Sequence, residues 1–163
     1  MRILSQRCRT FTYTVTTAGP CAVPLDVSFL GVARPFTDCL ALHIGVEKGD
    51  HTRVNDATKS IRRIIAKTAA TDVVLNGFSH LADPARRSDV PTAIEVLAAL
   101  TERLAGKGER VHLMPFGWNK RWSAEILDGE WEQRVVHLLP RTPTLATAGF
   151  TTSATSAALP SMS

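Results

Sequence analysis

The sequence predicts an α+β fold in which two main helices pack on a mixed or antiparallel β-sheet. Three observations carry this. The apolar pattern starts with a two-residue period at Phe11, Tyr13 and Val15, then changes to helical spacing at Ala57, Ile61, Ile64, Ile65 and Ala69. Only two stretches have the length and period of helices, so the regular strand and helix alternation of a doubly wound fold is missing. Finally, 163 residues with 44% hydrophobic and 21% charged side chains suit one ordinary core, which excludes a disordered or membrane class.

Residues 2 to 16 mix branched or aromatic side chains with polar ones, the pattern of a pair of strands or one bent strand. Gly19, Pro20 and Pro24 break it, and residues 17 to 37 read as a loop, with Gly31 and Pro35 as further punctuation. Residues 38 to 47 set Leu40, Leu42, Ile44 and Val46 on one face and Cys39, Ala41 and Gly45 on the other, as in a strand buried on both sides. The turn Lys48-Gly49-Asp50 ends it. A helix follows from about Asn55, with Asn55 or Asp56 placed to cap it and Arg62, Arg63 and Lys67 facing outward. Asp72 to Phe78 is a short buried strand ending in Asn76-Gly77-Phe78-Ser79-His80. The second helix runs from about Asp89, its cap, to Ala105, with Pro91 in the first turn, Gly106 as the stop, and Ile94, Leu97, Ala98 and Leu104 buried. Val111 and Leu113 form a strand that enters a turn at Pro115-Phe116-Gly117-Trp118. Trp122 to Leu127 and Val135 to Leu139 complete two more short strands around Asp128-Gly129. Residues 1–139 are therefore expected to form one domain, and residues 140–163, rich in Thr, Ala, Ser and Pro, a flexible tail.

The charge balance of 19 basic against 15 acidic side chains gives +4, which tolerates a polyanionic partner without requiring one. Cys8, Cys21 and Cys39 show no CxxC spacing, and an odd number cannot all pair within the chain, so reduced thiols are expected. No run of about 18 apolar residues occurs, and polar side chains interrupt the N-terminal segment, so the expected location is the cytoplasm, with no membrane contact.

Two segments at strand ends concentrate chemically useful groups, where rigid scaffolds often place their sites. In Phe78-Ser79-His80-Leu81-Ala82-Asp83, His80 can hold a water, act as general base, or satisfy a backbone carbonyl. In Phe116-Gly117-Trp118-Asn119-Lys120, the tryptophans Trp118 and Trp122 flank Lys120. Desolvation there favours a neutral amine able to move a proton, while the charged form can stabilise an oxyanion; the alternative is a surface lysine lying along tryptophan. No GxSxG, P-loop, GxGxxG or HExxH occurs, and His43, His51, His112 and His137 lack metal-ligand spacing. His43 and His112 read as structural members of strands, and no metal or cofactor is expected. A cofactor-free hydrolase or a binding module remains.

The sequence also resembles the N-terminal editing domain of archaeal-type threonyl-tRNA synthetases, over roughly residues 1 to 138. The resemblance rests on Met1-Arg2-Ile3-Leu4, Phe11-Thr12-Tyr13-Thr14-Val15, Val46-Glu47-Lys48, Phe78-Ser79-His80-Leu81-Ala82 and Pro91-Thr92-Ala93-Ile94-Glu95-Val96-Leu97. Its most specific piece is Pro115-Phe116-Gly117-Trp118-Asn119-Lys120, similar to the family's Pro-Phe-Gly-Trp-Tyr-Lys. The resemblance implies the fold of the D-aminoacyl-tRNA deacylases, a homodimer, and hydrolysis of L-serine mischarged on a threonine tRNA. The family's domain is normally fused to a synthetase, and with the sequence stopping after the expected tail the resemblance implies editing in trans, with aminoacylated tRNA and a threonyl-tRNA synthetase as expected partners. It makes Lys120 and His80 the catalytic pair, positioning or activating the attacking water. It sets Val46 and Glu47 against the amino-acid pocket, Phe78 and Ser79 in its wall, and Phe116 and Asn119 beside the substrate. A family glutamate falls at Glu130 or Glu132.

The chain departs from the family at Asn119, where a tyrosine is usual, and at Asn76-Gly77-Phe78-Ser79, where aromatic-Pro-aromatic-Ala is usual; both changes bear on amino-acid selectivity. Two other readings stand beside the first. Met1 to Arg7 also resembles the start of D-aminoacyl-tRNA deacylases, and Asn119 suits a non-catalytic tRNA- or synthetase-binding module of the same fold.

Overall fold

The computed structural model of the chain describes residues 1–140, so nearly all of the expected tail lies outside the described residues. The long first strand organises everything else. β1 (Arg2–Ala18) pairs along one edge with β2 (Ala33–Gly45), antiparallel from Arg2↔Gly45 to Thr14↔Ala33. Its other edge is shared: residues 2–6 pair with β6 (Gln133–His137) and residues 8–18 with β5 (Trp118–Ile126), both antiparallel. Register shifts at Cys8/Thr10 and Val15/Ala18 bend β1 between these duties, so the expected bent strand is a single one.

Beyond β2 the sheet turns parallel. β3 (Asp72–Gly77) pairs parallel with β2, and β4 (Arg110–Leu113) parallel with β3, which gives the order β4-β3-β2-β1-β5 with β6 also on β1. Parallel neighbours need crossovers, and the two helices supply them: α1 (Val54–Thr68) links β2 to β3, and α2 (Val90–Ala105) links β3 to β4. The fold is thus α+β, a mixed sheet carrying two helices, as the apolar periods require.

One face of the sheet, with Ile3, Leu40, Leu42, Ile44 and Leu75, packs on Ile61 and Ile64 of α1 and Leu97, Leu100 and Leu104 of α2. Phe11, Tyr13, Val15, Ala41 and Val74 form a second cluster from the opposite face. Burying a side chain of this size contributes about 1.5–3 kcal/mol, so both clusters hold the strands that carry the cleft. Cys8 and Cys39 are buried, Cys21 is exposed, and all three thiols are free.

Four expectations are corrected. Residues 33–37 are strand rather than loop, because Pro35 takes an extended conformation opposite Thr12, where β1 continues. Neither Asn55 nor Asp56 caps α1; a 3-10 turn, Asp50–Arg53, runs straight into the helix, leaving no side-chain cap at Arg53. The buried face of α2 is Ala93, Val96, Leu97, Leu100 and Leu104, while Ile94 and Ala98 face an apolar cavity of about 300 Å³. Asn119 and Lys120 lie within β5, which begins at Trp118 rather than Trp122. Asp89 does cap α2, accepting from the Thr92 amide at 2.8 Å. Among the described residues no helix is long and apolar enough to cross a membrane.

Candidate active site

β2, β3 and β4 run parallel, so their carboxyl ends gather at one end of the sheet, the usual place for a site in such layers. A cleft of about 560 Å³ opens there, between the start of α2 and the first residues of β5. Small-ligand sites have this size.

Close approaches of backbone shape the cleft. The 3-10 turn Ser79–Leu81 carries His80 and is fastened to the end of β2, where the Phe78 amide donates to the Ile44 carbonyl at 2.8 Å. Gly45 permits that seat, since a Cβ there would collide with the Ala82 amide nitrogen and stand 2.8 Å from the Leu81 carbonyl carbon. Gly117, at φ 76°, takes a left-handed turn and lets the segment at Cys21 pass against its backbone. The Gly19 amide donates to the Gly117 carbonyl at 2.9 Å, which closes the same wall.

Lys120 sits opposite Val15 in the β1–β5 ladder. Its Nζ donates to the Pro115 carbonyl at 2.7 Å and the Trp118 carbonyl at 2.9 Å. Burial lowers its pKa to about 8. Two of the three ammonium hydrogens are committed to these carbonyls, which leaves one for a ligand. His80 lines the same cleft and packs edge-on against Phe78, with ring centroids 5.8 Å apart.

The structure also brings Val46, Phe78, Ser79, Phe116 and Asn119 to the cleft. Phe78 is 45% exposed, available as an apolar contact. The Asn119 side chain donates to Thr17 Oγ1 at 2.9 Å, so its amide is turned toward β1.

Glu47 is not brought to the cleft. Its carboxylate is fully buried and accepts from the Met1 ammonium at 3.3 Å, Arg2 Nε at 3.0 Å and the Asp83 amide at 3.0 Å, with Arg86 at 3.2 Å. Burial by itself would raise its pKa, but the Asp83 hydrogen bond, the Met1 ammonium and Arg86 together hold it below the usual carboxylate range. Glu47 therefore anchors the segment that follows His80. Neither Glu130 nor Glu132 lines the cleft: the Glu130 carbonyl accepts from Arg134 at 3.3 Å, and the Glu132 carboxylate accepts from the Trp131 amide at 3.1 Å. Among the described residues, no group of three or more His, Cys, Asp or Glu could hold a metal ion.

Several cleft residues were not singled out as site members from the sequence, among them three polar or aromatic side chains that bear on the chemistry. Asn76, at the end of β3, and Trp122, two residues along β5 from Lys120, line it, as does Ser88 at the start of α2. The two-residue period after Lys120 was the available signal for Trp122.

The family described as the archaea-specific editing domain of threonyl-tRNA synthetase matches residues 1–129. Among curated proteins, the threonine–tRNA ligase of Thermofilum pendens is 34% identical over 93 residues, covering 55% of this chain and 15% of the ligase. That of Thermococcus kodakarensis is 36% identical over 87 residues, 51% of this chain and 14% of the ligase. The Methanobrevibacter smithii enzyme is 29% identical over 124 residues, 74% of this chain and 20% of the ligase. The matched segments thus span a fifth or less of these relatives. Among solved structures, a c-Myc DNA unwinding element binding protein superposes with a TM-score of 0.63 at 12% identity, covering 85% of this chain and 99% of that one. That likeness shows the fold, which is D-aminoacyl-tRNA deacylase-like.

Proposed function

Because the chain belongs to the archaea-specific editing-domain family of threonyl-tRNA synthetase, we propose that its cleft hydrolyses the ester between a wrongly attached amino acid and a transfer RNA. The substrate we assign is L-serine on a threonine tRNA. The observation that carries this reading is the placement of Lys120: a partly buried ammonium, fixed by two carbonyls and with a hydrogen to spare, in a cleft shared with His80.

Hydrolysis of such an ester needs a water brought to the carbonyl carbon and stabilisation of the negative charge that develops on the carbonyl oxygen. The free hydrogen of Lys120 is the donor for that charge. Desolvation strengthens it, and its two anchoring bonds mean that no reorganisation is needed as the charge forms. The imidazole of His80 holds the attacking water and takes its proton. When the tetrahedral species collapses, the carbon–oxygen bond to the tRNA breaks and the leaving oxygen takes the proton that His80 removed from the water, which regenerates the neutral imidazole. Val46, Phe78 and Phe116 bound the space for the amino-acid side chain, while the cleft, at about 560 Å³, has room for the terminal nucleoside beside it.

The test is deacylation of seryl- and threonyl-tRNA on the same threonine tRNA, with D-amino-acid esters run in parallel. Rapid loss of the L-seryl ester supports the proposal. D-selective hydrolysis or tRNA binding without turnover overturns it, in favour of a D-aminoacyl ester hydrolase or a binding module respectively.

A further inference from the structure

One charged side chain of the cleft has no part in the chemistry of Lys120 and His80. Lys120 spends two hydrogens on the Pro115 and Trp118 carbonyls, and Asp89, the acidic residue of the lining, accepts from the Thr92 amide as the cap of α2. Arg87 also lines the cleft, and among the described residues its guanidinium has no hydrogen bond or ion pair.

Backbone pairing fixes where Arg87 stands. It forms an isolated antiparallel bridge with Glu47, held by the Lys48 amide donating to the Arg86 carbonyl at 2.8 Å and the Ser88 amide donating to the Val46 carbonyl at 3.1 Å. The Arg87 backbone is thereby tied beside Val46, itself a cleft residue. The two consecutive arginines go to different places. Arg86 turns to the buried Glu47 carboxylate at 3.2 Å, whereas Arg87 turns to the cleft and is half-buried there. Within its guanidinium, Nε is shut away from solvent with no acceptor. The two terminal nitrogens also lack a protein partner but are not enclosed, so they form the open end of a fork.

A guanidinium stays charged throughout the working pH range, and partial burial without a counter-ion costs desolvation free energy that this protein does not offset by itself. An anion brought by the ligand offsets it. Two parallel N–H donors at the open end match two oxygens of a phosphate or a carboxylate. In an aminoacyl-tRNA the carboxyl group is consumed in the ester and the amino group is cationic, so the anion next to the reacting centre is the phosphodiester one ribose away.

We propose that Arg87 binds the phosphate on the 5′ side of the tRNA's terminal nucleoside and so sets that nucleotide in register with Lys120 and His80. The inference rests on the aminoacyl-tRNA reading above and deepens it, by naming the charge of the tRNA that the cleft holds and the side chain that holds it.

The experiment uses three seryl esters that differ in what the 5′ oxygen of the terminal adenosine carries: seryl-adenosine, seryl-adenosine 5′-phosphate and seryl-tRNA. Arg87→Met removes the charge and keeps an unbranched stem, and since Arg87 makes no ion pair within the protein, the melting temperature should stay within a few degrees. On the nucleotide ester and the tRNA, R87M should lower kcat/KM about 10- to 100-fold, chiefly through KM, as loss of a charge-assisted pair implies. On seryl-adenosine the variant and the wild type should agree within about threefold. Arg87→Lys keeps the charge without the fork and should fall between them. The slope of log kcat/KM for the tRNA against log salt should become shallower by about 0.7 in R87M, as loss of one phosphate contact requires. Equal losses on the nucleoside and nucleotide esters would mean that Arg87 shapes the cleft without holding a phosphate, and would overturn the inference. A loss on the tRNA alone, or no loss on any ester, overturns it as well. Each of these outcomes leaves the hydrolase reading intact, because the wild type still cleaves. Wild-type protein inactive on all three esters overturns the hydrolase reading, and this inference with it.

Discussion

Replacing Lys120 with methionine isolates the charge from the packing. Methionine keeps an unbranched stem of similar length between Trp118 and Trp122 and removes the ammonium with its donors. The effect on stability follows from the lysine pKa of about 8, against an ordinary value of 10.5. At full burial such a drop corresponds to about 3 kcal/mol of cost for the charged form, and partial exposure screens this to about 1–2 kcal/mol. The substitution removes that cost but leaves the Pro115 and Trp118 carbonyls without their donor, at about 1 kcal/mol each. The two contributions nearly cancel, so the melting temperature should stay within a few degrees. Activity should not be spared: losing a preorganised oxyanion donor costs about 100- to 1,000-fold in rate. The assay is single-turnover release of serine from seryl-tRNA, corrected for spontaneous ester hydrolysis. In the wild type the rate should fall as pH rises through about 8, because the ammonium is the active form; K120M should lack that inflection. The sign for stability is opposite. With the folded pKa below the unfolded one, the penalty is complete below pH 8 and is relieved between about 8 and 10.5, so wild-type stability should rise there relative to K120M. A K120M protein that keeps its rate within about threefold, or a wild-type rate that climbs through pH 8, would refute the assigned role.

Other changes test the parts around it. His80→Ala should lower the rate by about 100-fold or more without altering the melting temperature, since His80 is exposed and packs only edge-on with Phe78; an unchanged rate would remove it from the site. Gly45→Ala forces the His80 turn off the end of β2, and a displacement of about 1 Å should cost about 100-fold in activity, read beside a thermal melt that shows the fold retained. Glu47→Gln removes the buried carboxylate shared by Met1, Arg2 and Arg86, and although Asp50 still pairs with Met1 and Asp83 with Arg2, it should destabilise the protein by about 3 kcal/mol in urea titration. Because the Glu47 pKa is lowered, its contribution is complete above the ordinary carboxylate value of 4.5 and is lost as pH falls through the folded value, so wild type and E47Q should converge in acid.

How much of this was legible beforehand differs by residue. The two helices and the strands at Leu40–Ile44 and Val73–Leu75 follow from apolar period alone, because burial on one or both faces is a local property of the sequence. His80 and Lys120 could be nominated by type and by position at strand ends, and the structure brings both to one cleft. Glu47 could not be placed in this way. It directly follows Val46, a cleft residue, but where its carboxylate goes depends on Met1, Arg2, Asp83 and Arg86, which meet only when β1 lies beside β2 and the chain after β3 folds back. The strand at Ala33–Thr37 was hidden for a similar reason: Pro35 and Gly31 are loop signals, and only pairing with the far half of β1 overrides them.

His43 reads as an inert strand residue in the sequence, and only the fold gives it a polar partner. A lone histidine in an apolar strand is ordinarily a satisfied core residue, and nothing within a few positions of it says otherwise. Its partner comes from register, which the crossover through α1 sets and no local pattern encodes: a one-residue slip of β3 against β2 would turn Asn76 to the helix face and leave His43 beside Leu75 or Gly77. The observed register sets His43 beside Asn76: Asn76 lines the cleft with Trp122 and Lys120, while His43 packs behind it against the Trp122 ring. An apolar pair at these two positions would fill the space without leaving hydrogen-bonding groups unmet, whereas the polar pair satisfies one bond between its own members at 3.2 Å, a partnership that only the β2–β3 register creates.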